Sequence, residues 1–263
     1  MKKIITYLLV AMLAVGMFTG CGAKSEENTF TVGFDAEFPP YGYRDDSGEY
    51  VGFDLDLAAE VATRNGWTLV KQPIDWDAKD MELSSKSIDC IWNGFTINGR
   101  EDMYTWSKPY VDNSQVVVVA KDSGINSKAD LAGKVVAVQK DSSALAALTD
   151  EENKENIALR DSFKDLIEYA DYNTAFMDLE QGAVEAVAID IGVAQYQIEK
   201  REAGAFVMLE DKLATEQYGV GFLLGNEELR DTVQKTLDEM VADGTFMKIA
   251  EKWELTDSVC LGK

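Results

Sequence analysis

Gln115-Val116-Val117-Val118-Val119-Ala120 is an unbroken apolar run held between a glutamine and Lys121. Four consecutive β-branched residues favour an extended strand, because branching at Cβ restricts χ1 in a helix and packs well on a pleated surface. Side chains of a strand point alternately to its two faces, so a run without polar alternation must be covered on both. Helices on either side of a sheet provide that cover, which predicts an α/β protein.

The flanking sequence carries the same pattern. Upstream, Thr29–Phe34, Thr68–Gln72 and Ile88–Asn93 read as strands. A helix bearing Phe53, Leu57, Ala58, Val61 and Ala62 on one side lies between the first two, with Asp54 placed to cap it and Asn65-Gly66 to stop it. Another helix is predicted from about Asp77 to Lys86. Downstream, Val135–Gln139, Leu166–Tyr169, Ala186–Ile189 and Gln217–Leu223 read as strands. They alternate with helices at Ser142–Leu148, near Thr174–Gln181 and near Ile191–Lys200. Glu227–Val241 is a strong amphipathic helix, and after Gly244 a last one ends near Trp253. Two β-α sets of similar size therefore follow one another without a Pro/Gly-rich linker. The boundary is expected at two crossing strands, Val116–Ala120 and Gln217–Gly221. Open α/β sheets bind ligands beyond the carboxyl ends of their strands, so a cleft between the two sets is the expected site.

The N-terminus carries an address. Met1-Lys2-Lys3 precedes an apolar run from Ile4 to Phe18, which has the length of a signal-peptide core and is short for a membrane span. It closes on Phe18-Thr19-Gly20-Cys21, which resembles a bacterial lipobox, with Phe18 where leucine is usual. Residues 1–20 are accordingly expected to be a signal peptide, Cys21 the lipidated residue and 21–28 a polar tether. The protein would then lie outside the cytoplasm, held to the cell membrane through lipid.

Composition removes several chemistries. The formal charge is −22, and loss of the leader makes it more negative still, which argues against nucleic acid and against adhesion to anionic lipid. The chain has no histidine, so a Ser-His-Asp triad, a Cys-His pair and a His-containing zinc site are all excluded. No metal or cofactor is expected, and the protein is expected to be a monomer. Beyond Cys21 only Cys90 and Cys260 remain. They are either a disulfide or a buried strand thiol and a free tail thiol, and both readings stay open.

Several short stretches recur in one order along residues 29–255. They are Val32-Gly33-Phe34-Asp35-Ala36-Glu37-Phe38-Pro39-Pro40-Tyr41, Gly52-Phe53-Asp54-Leu55-Asp56-Leu57-Ala58, Gly94-Phe95-Thr96-Ile97 with Arg100, Trp106-Ser107-Lys108-Pro109-Tyr110, Ala188-Ile189-Asp190 and Tyr218-Gly219-Val220-Gly221. In these the chain resembles the polar amino-acid-binding proteins of ABC importers. The resemblance implies a two-lobed type II periplasmic-binding-protein fold, each lobe a mixed, mostly parallel sheet flanked by helices, joined by two hinge strands. Residues 29–118 and 218–263 would form one lobe and 119–217 the other. It also implies an amino-acid ligand and the permease subunits of an ABC transporter as partners.

The site residues implied by the resemblance suit a zwitterion. Arg100 offers a guanidinium fork to the carboxylate. Here Ile97-Asn98-Gly99-Arg100 is one residue shorter than the commonest family spacing. Ser142 and Ser143, where a strand meets a helix, would add hydroxyls and amide N–H groups, although Asp141 stands where glycine is frequent. Asp190 corresponds to the ammonium-binding carboxylate. Gly94 and Thr96, with Asn93 and Phe95 in the same strand end, would line the backbone side. Phe38 and Trp76 match aromatics that sandwich the ligand's aliphatic part, and Trp92 is a further candidate. Asp35, flanked by Gln139 and Ile189, would meet the ligand side chain. A dehydratase-type enzyme on the same fold, with Asp35 or Glu37 as the acid, and a ligand-sensing module are the alternatives.

Overall fold

The computed structural model describes residues 28–263, so the leader, Cys21 and the tether before Asn28 lie outside it. Its first half runs β1 (Thr29–Phe34), β2 (Glu37–Phe38), β3 (Gly42–Arg44), β4 (Tyr50–Val51), α1 (Phe53–Asn65), β5 (Thr68–Pro73), α2 (Lys79–Ser84), β6 (Cys90–Thr96), β7 (Thr105–Trp106) and β8 (Val111–Ala120). The second half runs β9 (Val135–Gln139), α3 (Ser143–Thr149), α4 (Lys154–Ser162), β10 (Asp165–Tyr169), α5 (Tyr172–Gln181), β11 (Ala186–Asp190), α6 (Ile191–Glu199), β12 (Phe206–Met208), β13 (Ala214–Phe222), α7 (Glu227–Ala242) and α8 (Thr245–Lys252).

One sheet runs through the molecule in the order β10-β9-β11-β8-β13-β6-β1-β5. Its ends are parallel: β1 pairs with β5 and β6, and β9 with β10 and β11. The middle is antiparallel, with β8 joining β11 to β13 and β13 joining β8 to β6. Two parallel α/β units are thus connected by the β8–β13 pair, the architecture that the sequence implied. The two strands meet at Val111–Tyr218 through Gln115–Ala214, upstream of the crossing segments expected from the apolar runs. Val116–Val119 are already paired with β11.

The valine run is covered as its pattern demands. Val116 and Val118 join a core with Phe176 and Val193 from α5 and α6, whereas Val117 and Val119 face Ala144 and Leu148 of α3. All four valines are fully or almost fully buried, and each is worth roughly 1.5–3 kcal/mol in area removed from water. In the other unit α1 packs on β5 and β6 and against α7 and α8.

Two local expectations are corrected and one open alternative is decided. Asp54 does not cap α1: the cap position is Gly52, and Asp54 is buried inside the first turn. The disulfide left open between Cys90 and Cys260 does not form, and both thiols are free. Cys90 packs fully buried in the main core from β6, while Cys260 is half-buried on the tail and its amide donates to Tyr110 O. The helix expected from about Asp77 to Lys86 is shorter, a 3-10 turn at Trp76–Ala78 leading into α2. Among the described residues no helix is long and apolar enough to cross a membrane.

Candidate functional site

The carboxyl end of β6 departs from regular strand geometry at Gly94, whose φ is +57°. A β-carbon there would stand 3.0 Å from both Phe38 Cε1 and Tyr218 Cε2, so glycine lets the rings approach the backbone. Gly94 N–H donates to Asp54 Oδ2 at 2.6 Å, and the Tyr110 hydroxyl donates to the same oxygen at 2.8 Å. Asp54 therefore pins the strand end from beneath, and burial pushes its carboxyl up to about 7 against those two hydrogen bonds.

Arg100 follows this strand end and reaches across to the other unit. Its Nη1 donates to Ser143 Oγ at 3.1 Å and to Thr96 O at 3.4 Å, and its Nη2 to Asp141 O at 3.3 Å. All three acceptors are neutral oxygens, so the guanidinium has no carboxylate partner among the described residues. Ser142 is committed to α3, its hydroxyl accepting from Leu145 N–H at 3.1 Å. Asp141 takes the left-handed conformation, φ +53°, that glycine adopts most easily. Its carboxylate turns aside to pair with Lys79 of α2, whose side chain is 2 % exposed. The acid beside Arg100 is thereby neutralised.

A second polar cluster sits at the junction of β8, β11 and β13. Asp190 Oδ1 accepts from Asn113 Nδ2 at 2.8 Å, Gln115 Nε2 at 2.7 Å and the Tyr218 hydroxyl at 2.5 Å. Although Asp190 heads α6, its side chain makes no capping bond. Glu216 Oε1 accepts from the same two amides, at 2.6 Å and 2.7 Å, and from Thr96 Oγ1 at 2.9 Å. Burial first, and then the neighbouring Glu216, raise the Asp190 carboxyl.

A third cluster holds Asp35, whose backbone N–H donates to Asn93 Oδ1 at 2.9 Å. Its carboxylate accepts from Glu37 N–H at 2.8 Å and, across the two units, from Gln139 Nε2 at 2.6 Å. Burial is the main cause that raises it to about 6, with Asp171 and Glu37 adding repulsion. Asp35 opens on a cavity of about 590 Å³ lined also by Glu37, Trp76, Asp77, Glu82 and Asp171, with no basic side chain in its wall.

The aromatic candidates separate. Phe38 lies between Tyr41 and Tyr172, with ring centroids 5.9 Å and 6.1 Å away. Trp76 is half-buried over Phe95, whose ring packs with Leu83, Ile88, Ile91 and Tyr104 in a cluster away from Phe38. Trp92 is fully buried in the main core. Ile189 is likewise core, whereas Asp35, Asn93, Gly94, Thr96, Arg100, Gln139, Ser143 and Asp190 all take part in the connected polar contacts described above.

Residues 30–256 match the family of bacterial extracellular solute-binding proteins, family 3. The chain belongs to that family. It is 29% identical over 259 residues to the L-cystine-binding protein TcyJ of Escherichia coli (strain K12), covering 93% of this chain and 94% of the other. It is 27% identical to the arginine-binding extracellular protein ArtP of Bacillus subtilis (strain 168), covering 96% and 98%. Among solved structures, an ABC uptake transporter substrate-binding protein from Streptococcus pneumoniae with bound histidine is 34% identical, with a TM-score of 0.81 over 86% of this chain and 92% of that one. The fold is the type II fold of these binding proteins.

The structure of this solute-binding protein also brings to these clusters residues that the sequence reading did not name as site candidates: Asn113, Gln115, Glu216, Tyr218, Tyr172 and Lys79. A signal for the first three was present. Asn113 and Gln115 alternate at the strand period just before the valine run, and Glu216 lies two residues before Tyr218. Side chains two apart share a strand face, so polar residues at that spacing against an apolar run mark where the strand leaves the core.

Proposed function

We propose that this protein captures a free polar L-amino acid between its two units and delivers it to the permease of an ABC importer. The observation that carries the reading is one of unmatched charge. A guanidinium with only neutral acceptors, Arg100, and a carboxylate pair with only neutral donors, Asp190 and Glu216, lie at two ends of one connected set of contacts. An α-amino acid supplies both missing partners, carboxylate to Arg100 and Ser143, ammonium to Asp190 and Thr96. Phe38 would flank its aliphatic part, while Trp76 lines the cavity beside Asp35. Asp35 and Gln139 would face its side chain, and the acid-lined cavity beside Asp35 disfavours an acidic one. The relatives named above bind cystine, arginine and histidine, which fits this ligand class.

We read residues 29–118 with 218–263 as one lobe and 119–217 as the second. A ligand that touches Arg100 on one and Asp190 on the other favours the closed form by its differential contacts, and closure is the state offered to the permease. The chain works as a monomer outside the cytoplasm, tethered by lipid on Cys21. A thermal-shift panel of the twenty amino acids and cystine tests the reading. A ligand at about a thousand times its Kd stabilises by roughly 4 kcal/mol. If no α-amino acid shifts melting, or if Arg100→Ala responds like the wild type, the zwitterion reading is wrong.

A further inference from the structure

Asp190 and Glu216 stand on different strands, yet the two amides of Asn113 and Gln115 each donate to both, at 2.6–2.8 Å. Two carboxylate oxygens within hydrogen-bond reach of the same nitrogens are close neighbours, and both residues are buried, 4 % and 7 % exposed. One oxygen of each carboxylate takes all these bonds. Asp190 Oδ2 and Glu216 Oε2 make none among the described residues, yet neither is a sealed, unpartnered atom in the core.

The surroundings supply no positive charge. The β8 side contributes only the two amides, and β13 adds the Tyr218 hydroxyl. Tyr172 of α5 and Tyr41, which follows β2, also face the pair. Burial holds all three phenols far above their usual range, so they stay neutral. From β6 comes the Thr96 hydroxyl, and Arg100 bonds the Thr96 carbonyl, Ser143 and the Asp141 carbonyl but neither carboxylate of the pair. Asp54 and Asp35 are the next carboxylates, acting on Tyr41 and Tyr172. Burial first, and then the like charge of Glu216 beside it, make the Asp190 carboxyl harder to ionise.

We propose that Glu216 is a second ammonium-binding carboxylate, and that the Asp190–Glu216 pair holds one proton when empty and releases it to solvent as the ligand's ammonium docks. The inference rests on the amino-acid reading of the same site. The ammonium brings its own positive charge and N–H donors to the two open oxygens, so the proton becomes redundant and leaves for the buffer. Protonation and ligand then compete, and affinity falls as pH is lowered from about 8 to about 5.

Titration calorimetry with L-arginine, L-histidine, L-glutamine and L-cystine, in buffers of different ionisation enthalpy, reads the proton directly. The wild type is expected to release up to one proton per ligand near neutral pH. Glu216→Gln keeps shape and removes one charge. It is expected to weaken binding roughly ten- to a hundredfold at about pH 8, to abolish proton release and to flatten the pH slope. Glu216→Asp, which keeps the charge, is expected to restore proton release, and this distinguishes a ligand contact from a purely structural residue. Binding by E216Q with wild-type affinity and proton release overturns this inference alone. Failure of the wild type to bind any of the four overturns it together with the reading on which it rests.

Discussion

Gly94 and the buried acids show how single residues set the properties of the site. A side chain at position 94 meets two obstacles, a φ of +57° and rings 3.0 Å from its β-carbon. Gly94→Ala is expected to cost about 1–3 kcal/mol in stability and to lose still more of the stabilisation given by ligand, because Phe38 is displaced. Melting with and without the amino acid identified by the panel separates the two effects. Asp35 and Asp54 are raised to about 6 and about 7, chiefly by burial. An acid whose folded pKa lies above its unfolded value binds more protons folded than unfolded in the window between. That stability is present at the low end of the window and lost as pH rises through the folded value. The ligand-free protein is therefore expected to melt higher at about pH 5 than at about pH 8, and Asp54→Asn to shrink the difference. A melting temperature that rises from pH 5 to pH 8 contradicts this account. Below about pH 4 the trend reverses, since Asp45, Asp130 and Glu155 are held low by hydrogen bonds that protonation removes.

At the scale of elements, α1 and β8 carry the contrast between what is legible locally and what is not. The apolar stripe Phe53, Leu57, Ala58 and Val61 predicted α1, and all four are fully buried beneath it. Leu57→Ala is expected to cost roughly 2–5 kcal/mol, read in chemical denaturation as a lower midpoint with an unchanged slope. The cap was misread because Asp54 is the right residue type at the right distance for capping, whereas its actual acceptor role serves Gly94 N–H, 40 residues away. The valine half of β8 was legible because burial on both faces leaves a pattern in the residues themselves. Its polar half left only the two-residue spacing of Asn113 and Gln115, whose role is set by Asp190 and Glu216 on other strands. Phe95 illustrates the same limit: it sits in the site motif but its ring packs with Ile91 and Tyr104.

The whole molecule is built on one sheet with two parallel ends, and side-chain contacts join those ends. Among the pairs that cross are Asp35 with Gln139, Arg100 with Ser143, and Lys79 with Asp141. The last joins a side chain 2 % exposed to one 49 % exposed, so removing the acid strands a buried ammonium while removing the base strands nothing. Asp141→Asn, which tolerates the left-handed backbone, is expected to destabilise the ligand-free form by about 1–3 kcal/mol and to enlarge it in small-angle scattering. Lys79→Met is expected to be milder on both counts. Equal effects from the two variants would remove the pair from any role in closure.

The sequence by itself determined the main strands and helices, though not the short β2, β3, β4, β7 and β12 or α4, together with the alternation of two β-α sets, the exclusion of histidine chemistry and the family resemblance. Each of these follows from periodicity, residue type or order along the chain, which are local quantities. Only the tertiary structure decided that Asp54 braces Gly94, that Lys79 neutralises Asp141, that the two cysteines stay apart and that Glu216 shares its donors with Asp190. Apart from the cysteines, those depend on atoms brought within 3 Å from positions 40 to 103 residues apart, and proximity of that kind is created by folding alone.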